Sequence, residues 1–187
     1  MTDSEVTQAK TALRTKIRAA RKSKQEGHFC EDEHDEHLVM FLADQNVRKI
    51  AAYIALDDEP CTDLLLDVCE QVGIQVLVPR VVNDDLEWAI FNWDDLTEGE
   101  FGILEPTGPA EPLQVDAVLV PALAVDAAGN RLGKGRGFYD RALLELENRV
   151  PIIALVHDEE VFEEIPHESH DLKVDYVACC TGVHKLD

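Results

Sequence analysis

Residues 118–145 read VLVPALAVDAAGNRLGKGRGFYDRALLE. An apolar run, a short turn, a glycine-rich basic loop and an amphipathic segment follow one another directly. That order is strand, loop, helix, the unit from which open α/β sheets are built. The run 117–125 is apolar throughout, which predicts one strand buried on both faces, and 138–148 predicts the helix behind the loop. In such sheets ligands bind beyond the carboxyl ends of the strands. Glycines there let backbone N–H groups approach an anion, and a helix start adds positive potential. Arg131, Lys134 and Arg136 add charge to the loop, and Asp140 near the helix start is a carboxylate that can take a magnesium ion. The spacing is not a Walker A loop, because no Ser or Thr follows Lys134. Nor is it GxGxxG, because Gly133, Gly135 and Gly137 alternate. On composition alone, a flexible turn ahead of a helix is the competing account.

Working outward, the same alternation continues. Val6, Ala9, Leu13, Ile17 and Ala20 recur at helical spacing, predicting a helix over 5–25. A short helix is expected over 36–45, then a buried strand over 49–56 broken by the acidic turn 57–60. Thr62 is placed to cap a helix that runs to about residue 71, with Gly73 ending it. Strands follow over 74–82 and 86–93, and 94–114 reads as loop because of its glycines and prolines. A strand over 151–156, a short helix over 159–165 and a last strand over 174–180 complete the chain. The expected fold class is α/β: a single domain, residues 1–187, with a mostly parallel central sheet flanked by helices on both faces.

The chain has 187 residues with 38 acidic against 17 basic, a net charge of −21. A field this negative disfavours nucleic acid and anionic membrane as partners. Yet 11 of the 17 cations lie in two short segments, 10–24 and 131–141, which suits a local anion site. The acidic excess itself reads as solubility or adaptation to salt. No apolar run approaches the length of a membrane span, and the N-terminus lacks the apolar core of a signal peptide, so the expected location is cytoplasmic. The five cysteines form no CxxC pair and suit reduced thiols. His28, Cys30, His34 and His37 crowd one segment. Helical spacing would put Cys30, His34 and His37 on one face as zinc ligands, but an exposed acidic helix start is the preferred account.

At this point a family resemblance emerges. GNRLGKGRGFYDRAL resembles the signature loop of the 5-formyltetrahydrofolate cyclo-ligases, also called 5,10-methenyltetrahydrofolate synthetases. KTALRTKIRAAR resembles that family's basic first helix, YIALDDEPCT its folate-facing strand and acidic turn, and PHESHDLKVDYV its C-terminal segment. VLVPRV, FGILEP and VPALAVD fall in the family's order, so the likeness runs from about residue 10 to 177.

The resemblance implies a central, mainly parallel sheet flanked by helices. It also implies ATP-dependent cyclisation of 5-formyltetrahydrofolate to 5,10-methenyltetrahydrofolate, with Mg²⁺, releasing ADP and phosphate. Carried onto this chain, Lys10 and Arg14 would contact the ATP phosphates. Arg131, Gly133, Lys134, Gly135, Arg136, Gly137, Phe138, Tyr139 and Asp140 would wrap the triphosphate. Lys134 and Arg136 would meet the transition-state charge, and Asp140 and Asp171 would hold magnesium. Ile54, Glu59 and Tyr139 would contact the folate. The formyl oxygen would attack the γ-phosphate, and N10 would then close the ring. The chain departs from the pattern at Ala122, usually Gly, at Val125, usually Phe, and at Phe138, usually Tyr. Ala122 would matter if a left-handed turn were needed there. The competing readings are a non-catalytic nucleotide- or folate-binding relative and a phosphosugar isomerase, whose acid–base chemistry would not need the basic first helix.

Overall fold

The computed structural model describes residues 2–24, 33–99, 102–146 and 148–187. Its elements, in chain order, begin with α1 (Asp3–Lys24), α2 (Glu33–Asp44), β1 (Lys49–Ala51) and α3 (Asp63–Val72). Strands β2 (Gln75–Val82), β3 (Asp85–Ile90), β4 (Leu96–Glu98), β5 (Leu104–Pro106), β6 (Ala110–Glu111), β7 (Ala117–Pro121), β8 (Ala124–Asp126) and β9 (Arg131–Leu132) follow. The chain then forms α4 (Phe138–Ala142), β10 (Ile152–Leu155), β11 (Val161–Phe162), β12 (Tyr176–Cys179) and β13 (Gly182–Lys185).

Among the described residues, eight strands form the main sheet in the order β13-β12-β10-β7-β1-β2-β3-β6. The four central pairings, β12 to β10, β10 to β7, β7 to β1 and β1 to β2, are parallel, and the edges are antiparallel. Period-two alternation divides the strand residues between two cores. Ile50, Val76, Val78, Leu119, Ile153 and Leu155 face α2 and α3, meeting Leu38, Leu42, Leu65 and Leu66. Ala51, Leu77, Val118, Val120 and Ala154 face the other way, toward Ala142 and Leu143 of α4 and the turn after it. Helices therefore cover both faces, as expected, and apolar runs without polar alternation follow from that double burial.

Helix α1 packs elsewhere. Ile17 and Leu13 rest on Leu123, Ala124, Leu132 and Ile165, which belong to or adjoin a small sheet of order β11-β8-β9. The expected single strand over 117–125 is thus two strands in two sheets. The break falls at Ala122 and Leu123: Val118 to Pro121 pair with β10, whereas Val125 pairs with β9 and β11. Ala122 is not among the residues with positive φ, so the departure at that position carries no backbone strain.

Other expectations shift for local reasons. The strand expected over 49–56 pairs only over β1, because Tyr53 and Ala55 spend backbone groups on the Thr62 hydroxyl: Thr62 Oγ1 donates to the Tyr53 carbonyl at 2.9 Å and accepts from Ala55 N at 3.1 Å. Thr62 therefore makes no side-chain cap on α3, while Gly73 does end that helix in the left-handed region. β3 stops at Ile90, short of 93, where the Asn92 side chain accepts from Asp94 N and opens a 3₁₀ turn. The supposed loop 94–114 contains the β4–β5 hairpin and β6. The helix expected over 138–148 ends at Ala142 and tightens into a 3₁₀ turn, Leu143–Glu145. In place of a helix over 159–165 there is a 3₁₀ turn and β11, because Glu160 binds back to His157 N and the Asp126 carboxylate takes Ile165 N. β12 is not the last strand; the chain turns at Gly182 and returns as β13.

Candidate active site

The parallel strands change winding direction at β1 and β7. From β1 the chain passes α3 and adds β2 on one side, whereas from β7 it passes α4 and adds β10 on the other. Carboxyl ends diverge at such a point and leave a crevice. A cavity of about 610 Å³ opens there, walled by Tyr53 and Ile54 after β1, Pro79 and Val81 of β2, and Pro121 of β7.

The glycine-rich loop forms the roof. The buried Asp126 carboxylate accepts from Ala128 N, Asn130 N and Asn130 Nδ2, closing a tight turn. Gly129 has a φ of +77°, and a Cβ there would stand 2.5 Å from the Val174 carbonyl oxygen. Only glycine permits this approach, which brings the C-terminal segment beside the loop. Val174 N in turn donates to the Gly129 carbonyl at 2.9 Å.

Helix α1 reaches the loop from outside. Lys10, Arg14 and Arg18 repeat every four residues and so share a face. Arg14 Nε donates to the Gly133 carbonyl at 2.9 Å, and an Arg18 guanidinium N–H donates to the Lys134 carbonyl at 3.0 Å. Arg21, one turn further on, is buried and binds Glu160 through Nε at 2.6 Å and a terminal nitrogen at 2.7 Å; it also donates to the Ala122 carbonyl at 2.8 Å. Burial opposes the charge on Arg21, but Glu160 outweighs it and the pKa is raised.

Every residue expected in the site lines this one cavity: Lys10, Arg14, Ile54, Glu59, Arg131, Gly133 to Asp140 without exception, and Asp171. The cations fall into two groups. Lys10 Nζ lies 2.6 Å from Glu168 and from Asp171, Arg131 lies 3.0 Å from Asp140, and Lys134 lies 3.0 Å from Glu59 and 3.1 Å from Asp58. Arg14 makes no ion pair among the described residues, and its pKa is lowered by burial and then by neighbouring Arg18. It is half-buried, and Asp171, Glu168 and Asp140 act on it from a distance without direct contact, which leaves its terminal nitrogens suited to an incoming anion. Lys10 is held charged: burial lowers its pKa, but Asp171 and Glu168 more than offset this.

Asp140 follows the same logic with the opposite sign. Burial raises its pKa, yet Arg131 and the Leu172 N–H, which donates at 3.0 Å, bring it below the ordinary value. Asp140 is thereby kept ionised inside the cavity. The cavity's other part is mainly apolar, with Ile54, Leu56, Pro79, Val81, Leu86 and Ile103, and one carboxylate, Glu105, which takes Val81 N at 3.0 Å. Tyr139 lies there, packed edge-on to Trp88 at 6.2 Å between ring centroids. Glu59 marks the junction of the two ends, its second oxygen taking Leu56 N at 3.0 Å.

Arg18, Glu168 and Tyr53 also line the cavity and were not anticipated. Arg18 had a signal in its four-residue spacing from Lys10 and Arg14. Glu168 is one carboxylate among many and had none. Of the histidine-rich segment, His34 and His37 do not line the cavity. His28 and Cys30 lie outside the described residues. His34 is buried and not an exposed helix start: its Nε2 donates to the Cys61 carbonyl at 2.8 Å. His37 is exposed. Among the described residues, Glu168, His170 and Asp171 alone bring three metal-binding side chains together.

The model of the 5-formyltetrahydrofolate cyclo-ligase family matches residues 6–180. The chain belongs to that family. It is 40% identical over 140 residues to the 5-formyltetrahydrofolate cyclo-ligase of Mycolicibacterium smegmatis, covering 70% of this chain and 72% of that one. It is 29% identical over 177 residues to the Haemophilus influenzae cyclo-ligase, covering 89% and 95%. The 5,10-methenyltetrahydrofolate synthetase structure from Aquifex aeolicus superimposes with a TM-score of 0.82 at 26% identity, covering 95% of this chain and 92% of that one. The family is one of enzymes, and its fold is the mostly parallel α/β sheet described above.

Proposed function

We propose that this chain, acting as one domain, converts 5-formyltetrahydrofolate and ATP to 5,10-methenyltetrahydrofolate, ADP and phosphate. The observation that carries the reading is one continuous cavity with a cationic, glycine-rich end and an apolar end, joined at Glu59 and Lys134. A triphosphate suits the first end and a flat heterocycle the second. Family membership and the named relatives support the same reaction.

In the proposed course, Arg14, Lys134, Arg136 and the glycine amides hold the triphosphate, and the apolar wall presents the formyl group to it. The formyl oxygen attacks the γ-phosphorus; a new P–O bond forms, the bond to the β-phosphate oxygen breaks and ADP leaves. The formyl carbon, now bearing a phosphate, is attacked by N10, which forms the second C–N bond and releases its proton. The C–O bond to phosphate then breaks, leaving the methenyl cation and inorganic phosphate. Positioning and charge neutralisation supply the catalysis, without a protein nucleophile. Lys134 holds Glu59 and Asp58 with two of its three N–H donors, which leaves a third for a phosphate oxygen.

The oxygen donors of Asp140 and Asp171, in a cavity built for phosphate, fit Mg²⁺, which prefers one or two carboxylates together with phosphate and water. Bound there, Mg²⁺ would offset phosphate charge. We assign the enzyme to the cytoplasm, supported by Cys61, Cys69 and Cys179 as free thiols. No described helix is long and apolar enough to cross a membrane. The deciding experiment follows absorbance in the methenyl-folate band. A rise that requires 5-formyltetrahydrofolate, ATP and Mg²⁺ together is expected. Folate and nucleotide binding without turnover would favour a non-catalytic relative instead.

A further inference from the structure

Five carboxylates line the cavity: Glu59, Glu105, Asp140, Glu168 and Asp171. Four of them sit against a cation, Glu59 against Lys134, Asp140 against Arg131, and Glu168 and Asp171 against Lys10. Glu105, on β5 in the mainly apolar part, makes no ion pair among the described residues. The fold fixes its position. Val76 O of β2 bonds Phe91 N at 2.9 Å just past β3, whereas Leu77 O bonds Ala52 N at 2.8 Å just past β1. Odd-numbered residues of β2 therefore turn their backbone groups toward β1. β1 stops at Ala51, so Val81 N–H, further along β2, faces the crevice with no strand partner. Glu105 Oε1 takes that place, accepting from Val81 N at 3.0 Å. Gly99, just past β4, gives the carboxylate room: a Cβ there would stand 2.1 Å from the Glu105 carboxyl carbon. The second oxygen, Oε2, has no hydrogen-bond partner among the described residues and is not buried. An ionised carboxylate on an otherwise apolar wall has lost hydration on one side and holds a single N–H in return.

Resting on the proposed function, we infer that Glu105 is a substrate-binding residue whose Oε2 accepts from the 2-amino group of the bound folate's fused ring. Charge selects that group. A carboxylate takes N–H donors and repels anions, so neither a triphosphate nor the folate's own glutamate tail settles at this wall. With no cation against it, Glu105 keeps its acceptor strength for a neutral donor, and a charge-assisted hydrogen bond gains from the apolar setting. Glu59 is already engaged, one oxygen by Lys134 and the other by Leu56 N. The amino group and the tail lie at opposite ends of the folate, so holding the first at β5 fixes which way round the molecule binds.

The test is Glu105→Gln, which keeps a carbonyl oxygen for Val81 N and puts an amide nitrogen where Oε2 stood. Affinities for 5-formyltetrahydrofolate, for its analogue lacking the 2-amino group and for ATP are measured by calorimetry, and KM is separated from kcat. Folate binding is expected to weaken by about ten-fold or more, with KM for folate rising in step. ATP affinity and kcat should stay within about two-fold, the pattern of uniform binding lost. The analogue should bind the variant and the unaltered protein alike, because its contact is already missing. Unchanged folate affinity would overturn the inference and leave the proposed reaction standing. A loss that falls equally on the analogue would overturn it too, as would a loss of ATP affinity alone, which would put the adenine amino group at Glu105. Where Glu105→Gln does not fold, Gly99→Ala decides: its Cβ displaces the carboxylate, so folate binding should fall with ATP binding kept, and unchanged folate binding overturns the inference. If the unaltered protein binds no 5-formyltetrahydrofolate, the inference and the reading beneath it fall together.

Discussion

Asp140 serves as an anchor and as an ion ligand in the proposed reaction, and its surroundings separate the two roles. Arg131 and Leu172 N occupy its oxygens from the protein side. Asp140→Ala should therefore lose on the order of 1–3 kcal/mol of stability from stranded partners and still fold. Its turnover should fall by at least about 100-fold, as expected when charge stabilisation at a transferring phosphoryl group is lost. Parallel melting curves and methenyl-folate assays check both, and near-normal turnover would remove Asp140 from the ion site. A second residue-scale case is Cys69 in α3, 1% exposed, whose thiol is pushed up to about 11 by burial and then by Asp35. It should escape alkylation by iodoacetamide near pH 8 in the folded protein, while half-exposed Cys61 reacts; mass spectrometry distinguishes them. The unfolded thiol ionises first, so the Cys69 contribution to stability is intact below about pH 9 and declines as pH rises toward 11. Single residues are where the sequence was least informative. Tyr53 read as one more apolar position in a buried strand, since nothing in a linear pattern reveals that a hydroxyl lacks a partner.

At the scale of elements, α1 is fastened to the small sheet chiefly by the Arg21–Glu160 pair, with side chains 2% and 5% exposed. Removing one partner of a buried pair strands the other charge. Arg21→Ala is expected to cost about 3–5 kcal/mol, and replacing both residues by methionine should cost less than the sum of the single changes. Urea unfolding measures both. Elements also show what pattern can and cannot carry. Helix α1 was legible because its apolar residues keep a 3.6-residue period over many turns. The division of 117–125 into β7 and β8 was not, since both halves are buried and a run of Val, Leu and Ala looks the same when the chain crosses from one sheet to another. The pattern around β11 looks helical for a related reason: two residues of pairing leave no periodic trace, and Glu160 and Asp126 determine the backbone there through long-range contacts.

Six of the 17 cations, Lys10, Arg14, Arg18, Arg131, Lys134 and Arg136, line one cavity in a molecule whose net charge is −21. That convergence was legible, because two basic segments in an acidic chain have few other uses. The balance itself had to come from the structure: Glu168 and Asp171 meet Lys10 through contacts 158 and 161 residues apart in sequence. Outside the cavity the uncompensated carboxylates repel one another, and salt screens that repulsion. The melting temperature should accordingly rise between about 0.1 and 1 M KCl, by roughly 5 °C if one to two kcal/mol of repulsion is relieved. Scanning calorimetry across that range checks it, and a flat or falling profile would assign the acidic excess to solubility alone.

The fastening of α1 has a bearing on synthesis. A ribosome releases Lys10, Arg14 and Arg21 long before Glu160, Glu168 and Asp171 exist. Until then the first helix has neither its salt partner nor the apolar seat completed by Ile165. The nascent chain must therefore carry an unpaired cationic segment through most of translation, and the site closes only once the segment around 160–174 has emerged. Its two halves are joined last, by the contacts that span almost the whole chain.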